Sequence, residues 1–150
     1  MQYLSTHGVA CLEFLRFCQR LHPELEELMG HLFTLVALAC EVYVKRARFN
    51  PPSDQTIPLI EHFRQVTKTV KGYGDVVGQH LLAWPYFVMA AESSTQDDRE
   101  FFRSELQSLY QTTGCQSALR GLEKIMKIWE TQSNTRWTSL LGGDDQFFIM

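Results

Sequence analysis

The side chains best suited to hold a metal are His7, Cys11, Cys18 and His22, whose spacings of 4, 7 and 4 set all four on one side of a helix. At about 1.5 Å of rise per residue they spread over about 22 Å, whereas one zinc ion holds its ligands within about 2.3 Å. Each pair is therefore at most half a site, so neither a metal nor any other cofactor is expected. The remaining cysteines, Cys40 and Cys115, stand singly in a chain without secretory features. Reduced, mostly buried thiols fit this pattern better than a disulfide framework.

A catalytic nucleophile needs a base and a group that orients the base. The sequence singles out none of its five histidines for that role, so no catalytic residue is assigned and the chain is read as a non-enzyme. The glycine pairs Gly72-Tyr73-Gly74 and Gly142-Gly143 lack the lysine and the strand-to-helix setting of a phosphate loop, and read as turns. The run Val44-Lys45-Arg46-Ala47-Arg48 has the composition of a nuclear-import or DNA-contacting patch. The run is short, and a solvated helix end that complements the dipole is the preferred reading, because three basic residues at a carboxyl end need no further explanation. The aromatic residues Trp84, Tyr86, Phe87, Phe101, Phe102, Trp129 and Trp137 could line a small-molecule pocket, although core packing is their commoner use. Asp98-Arg99-Glu100 forms a charged cluster at a helix start, where an arginine can clamp a carboxylate or a loop carbonyl.

These residues need elements to position them, and the apolar periodicity is helical throughout. Val9 to Leu21 carries Leu12, Leu15 and Cys18 at helical spacing, and His22-Pro23 closes it. Pro23 opens a second helix with Glu24, Glu26 and Glu27 first and Lys45, Arg46 and Arg48 last, matching the macrodipole. After Asn50-Pro51-Pro52, residues Ile57 to Val70 place Leu59, Ile60, Phe63, Val66 and Val70 on one face. The segment from His80 contains Pro85, which predicts a kink or a restart. Thr95 caps a helix that stops at Gly114, and Ser117 is expected to cap the last long one, with Trp137, Leu140 and Leu141 as a closing turn. The fold class is all-α, an irregular bundle of about six helices in a single domain spanning residues 1–150.

A length of 150 residues suits one hydrophobic core, and 45% apolar content can fill it. A net charge of -3 gives no basic excess for phosphate binding, so direct, sequence-specific DNA binding by this chain alone is not expected. The amino terminus lacks the pattern of a secretory signal. Leu32 to Val44 contains Glu41 and is shorter than the roughly 20 apolar residues of a membrane span. It reads as a buried core helix, and no membrane partner is expected.

From Leu81 onward the order of landmarks is distinctive. Trp84-Pro85 is followed by Ala90-Ala91-Glu92, then by Asp98-Arg99-Glu100 opening a helix, then by Gly114, Ile128-Trp129 and a second tryptophan, Trp137. This region resembles the carboxy-terminal part of the fungal-specific transcription factor domain found behind binuclear zinc clusters. The resemblance implies a helical regulatory domain in the nucleus, with protein partners in the transcription machinery or a full-length family member. It makes Trp84, Pro85, Glu92, Asp98, Arg99, Trp129 and Trp137 the candidate structural or regulatory residues. It also implies transcriptional targets, such as a metabolic gene cluster. The family's zinc cluster needs six cysteines in two close triplets, and this chain has four cysteines and no C-x-x-C. No metal-binding or DNA-contacting residue of the family carries over, so the chain reads as a fragment, an incomplete gene product or a shortened relative. The rival reading is a small-ligand-binding or enzymatic helical domain with an aromatic-lined pocket, which requires convergent polar groups inside the core.

Overall fold

A computed structural model of the chain describes residues 13, 16, 17, 20–74, 79–131 and 136–141. Five α-helices lie among them: α1 (Glu26–Arg48), α2 (Ile57–Lys71), α3 (Ala83–Glu92), α4 (Gln96–Thr113) and α5 (Gln116–Glu130). Short 3-10 turns cover Pro23–Leu25, Ser53–Gln55, Gln79–Leu82 and Trp137–Leu141. No strand occurs among the described residues, so the fold is all-α as the periodicity requires. The helix expected over Val9 to Leu21 lies mostly outside the described residues, and its last two, Arg20 and Leu21, are helical.

The architecture is organised around α3. Nine of its ten residues are buried, all but Trp84, and it packs against α1, α4 and α5. A helix apolar on every side has to be enclosed. Pro85 falls in its first turn, where the missing N–H has no intrahelical acceptor to lose, so the helix restarts after the Gln79–Leu82 turn instead of kinking. The core it shares with its neighbours is tightly filled by aromatic rings. Phe63, Phe87 and Phe102 are fully buried, and Phe63 meets both Tyr86 and Phe102 edge to face.

Local chemistry fixes the ends of the later helices. The Thr95 side chain accepts from the Asp98 N–H at 3.2 Å and donates to the Asp98 carboxylate at 2.8 Å, a reciprocal cap on α4. Gly114 ends α4 at φ +68°, a left-handed conformation that glycine adopts without strain. The start of α5 differs from expectation. Its cap is Cys115, not Ser117, because the chain leaves the Gly114 turn directly into an extended residue and has turned helical by Gln116.

α1 carries two apolar seams. Leu28, Leu32, Leu35, Ala39 and Val42 are buried against α2 and α3 at alternating steps of four and three. By length and composition Pro23–Arg48 is also apolar enough to cross a membrane, unlike the shorter segment considered from sequence. The burial of its inner seam in this core assigns that face to the domain. Cys40 is exposed on the opposite side, which corrects its expected place among buried thiols, while Cys115 is half-buried. Cys11 and Cys18 lie outside the described residues.

Candidate functional site

The inner seam of α1 ends in a charge. Arg46 follows Ala39 and Val42 at the same helical spacing and is 9% exposed, so the basic run at the end of α1 is not uniformly solvated as expected. Its partner is Glu92, the last residue of α3, whose side chain is 1% exposed. A carboxylate at a helix C-terminus is opposed by the dipole. Arg46 offsets that cost through two parallel bonds, Nε to Oε2 at 3.0 Å and Nη2 to Oε1 at 2.5 Å.

Two further donors complete the set. The Thr56 hydroxyl, just before α2, lies 2.8 Å from Oε1, and the Trp137 indole donates to Oε2 at 2.8 Å. Each carboxylate oxygen of Glu92 thus has two donor atoms within hydrogen-bond distance, and the single Thr56 proton is shared between Oε1 and the Ser53 carbonyl at 2.9 Å. The spare Arg46 nitrogen, Nη1, donates to Asn50 Oδ1 at 2.9 Å and to the Pro51 carbonyl at 2.6 Å. One buried ion pair therefore ties α1, the start of α2, the end of α3 and the closing turn.

In front of this pair lies an open cleft of about 310 Å³, lined by Asn50, Ser93, Arg99, Trp129 and Arg136 among others. Arg99 Nε donates to the Ser93 carbonyl at 3.1 Å, and its guanidinium lies 5.4 Å from the Trp129 ring centre. From α4, Arg99 thus reaches the end of α3 and the Trp129 ring of α5, and it is half-buried. The Trp129 indole donates to the Ala90 carbonyl at 3.0 Å, and Arg136 reaches the Ala47 carbonyl at 2.6 Å.

Glu92, Arg99, Trp129 and Trp137 therefore gather around one cleft, whereas the other candidates sit elsewhere. Trp84 lies 6.0 Å from the Tyr43 ring, which in turn meets Trp137 edge to face at the same separation. Pro85 is buried in the first turn of α3, and Asp98 pairs with Arg64 at 2.7 Å on the opposite side of α4. Asp97 first and Asp98 second hold the Arg64 guanidinium above its usual range, and its plane also covers the Phe101 ring at 4.6 Å. Trp84 and Trp129 are half-buried, not largely buried, because each presents its ring at the margin of the core. Of the aromatic set, Tyr86, Phe87, Phe102 and Trp137 belong to the core.

A second cleft of about 300 Å³ lies between the end of α2 and α4, where Lys71 pairs with the buried Glu105. Tyr86 lines it, and burial above all, then the Glu105 charge, pushes its phenol well above the ordinary range. No group of three or more metal-ligating side chains occurs among the described residues, and His7, Cys11 and Cys18 lie outside them.

Reasoning from sequence named Glu92 but missed Arg46, Thr56 and Arg136. The signal for Arg46 was available, since it prolongs the apolar seam where only a paired charge is tolerated.

The described residues form a helical domain in which one buried ion pair ties four elements together beside an open cleft. The family model for the fungal specific transcription factor domain matches residues 13–150, and the chain belongs to that family. Membership gives it a transcription regulatory role. No curated protein and no solved structure matches the chain.

Proposed function

We propose that this chain is a single regulatory, protein-interaction domain, the carboxy-terminal part of a longer family domain of a zinc-cluster-type transcription factor. It acts in the nucleus by restraining or positioning an activation function, through protein partners and not through a membrane. It has no DNA-binding cluster of its own and performs no chemistry.

The observation that carries this reading is the burial of Glu92 among donors from α1, the start of α2 and the closing turn. A buried carboxylate ringed by donors from Arg46, Thr56 and Trp137 serves architecture, and the aromatic rings of Phe87 and Trp137 are buried in the core. The net charge of -3 supports the absence of direct DNA readout. A mobility-shift assay with the purified chain tests it. The expected result is weak, salt-sensitive binding without sequence preference, and a salt-resistant, sequence-specific shift overturns the reading.

One observation favours the small-ligand alternative, namely that Arg99 and Arg136 line the same open cleft as Trp129, Ser94 and Thr131. That site would take a small anionic effector and leave the regulatory role intact. Calorimetric titration with small dicarboxylates decides it, since saturable heat lost in Arg99→Ala supports the site and no heat rejects it.

A further inference from the structure

The outer face of α1 has no counterpart in the fold described so far. Gly30, Phe33, Ala37, Cys40 and Val44 are all exposed, Phe33 at 49% and Val44 at 51%. Together with the half-buried Ala47 they recur at alternating steps of three and four, the spacing of a coiled-coil seam. This seam lies nearly opposite the buried one, so α1 is apolar on two faces while the described helices enclose only one. A helix apolar all round belongs to an enclosed position.

The order of residues along the seam selects the occupant. Read in the reverse direction, the seam matches itself about a point between Leu38 and Ala39. Phe33 then faces Val44 of a second copy, Ala37 faces its Cys40, and Gly30 faces its Ala47. The flanking charges agree with that direction. Glu26 and Glu27 occupy the first turn of α1, and Lys45, Arg46 and Arg48 the last. Glu26 and Arg48 lie along the exposed seam itself. Antiparallel pairing puts Arg48 within about one helical turn of the second copy's Glu26 and opposes the two macrodipoles. Parallel pairing would set acid against acid and base against base. Gly30 also leaves room for a close approach, since a Cβ built there meets nothing within 4 Å.

We propose that the outer seam of α1 is a homotypic interface, on which a second copy of this chain docks antiparallel through Gly30, Phe33, Ala37, Cys40, Val44 and Ala47. The seam runs about 26 Å, so the contact is smaller than a standard permanent interface and is expected to dissociate on dilution. The inference goes beyond the regulatory reading and does not depend on it.

Sedimentation equilibrium on the full chain tests the proposal. At high micromolar concentration the expected mass is twice 17.4 kDa, with reversible dissociation on dilution. Phe33→Glu, at a position already half exposed, should give the monomer mass with an unchanged helical circular dichroism spectrum. The double variant Phe33→Glu with Val44→Lys fixes direction, because antiparallel pairing sets each introduced acid against an introduced base and restores the dimer in a salt-sensitive way. A 17.4 kDa wild type at high concentration, or a dimer untouched by Phe33→Glu, overturns the proposal, as does a double variant that stays monomeric. Sedimentation of the chain with lipid vesicles in place of self-association would likewise assign the seam to a bilayer and overturn it.

Discussion

Arg46 and Glu92 are 46 residues apart in sequence and form a two-bond ion pair at the meeting point of α1 and α3, with the carboxylate almost wholly shielded from water. Breaking a buried pair by deleting one partner leaves an uncompensated charge, which costs about 3 to 5 kcal/mol. Glu92→Ala should lower stability by that amount in chemical denaturation. Replacing both members by apolar residues, Arg46→Met with Glu92→Leu, should cost less than Glu92→Ala alone. A midpoint unchanged in Glu92→Ala would show that the pair does not hold the helices together.

Arg99 and Trp129 form the lighter clasp on the other side of the cleft. A net hydrogen bond of about 1 kcal/mol and a partly exposed cation–π contact of about 0.5 to 1 kcal/mol together predict a loss of about 1 to 2 kcal/mol in Arg99→Ala. Trp129→Phe removes the bond to the Ala90 carbonyl and part of the ring beneath Arg99, and should cost about 1 to 2 kcal/mol. Because Trp129 is half-buried, its alanine variant should fall below the range of about 3 to 5 kcal/mol expected for a fully buried aromatic. Wild-type stability in Arg99→Ala would return that side chain to the solvated surface.

How much of this was legible in the sequence depends on how far apart the partners lie. The cap of α4 by Thr95 and its stop at Gly114 involve residues three or four apart, so local chemistry suffices to predict them. The extent of α2 follows from its apolar repeat. Glu92 meets Thr56 from 36 residues away and Trp137 from 45, and no spacing rule reaches that far. Arg46 was obscured because a basic residue in a last helical turn already has an adequate explanation at the surface. Cys40 was misjudged because the outer seam of α1 repeats small and apolar residues at the same spacing as the inner one, and periodicity cannot say which seam this chain covers itself.

The buried Tyr86 phenol gives a pH dependence with a definite sign. Its proton is held more tightly in the folded chain than in the unfolded one, so the folded state binds more protons above the ordinary tyrosine pKa of about 10. Its contribution to stability is complete below that value and is lost as pH rises through it. Denaturation midpoints measured across this alkaline range should fall less steeply in Tyr86→Phe than in wild type. Identical slopes would mean that Tyr86 ionises as freely in the folded chain as in the unfolded one.

The role we propose for this helical chain is regulation of transcription through protein contact, without reading DNA or doing chemistry. A tethered reporter tests it most directly. The chain is fused between a heterologous DNA-binding domain and a constitutive activation domain, and reporter output in a fungal nucleus is compared with that of the same fusion lacking it, at matched protein levels. A severalfold change in output, lost when Glu92→Ala destabilises the fold, is the predicted result. Output indistinguishable from the control, with the inserted chain shown to be folded, would contradict the account.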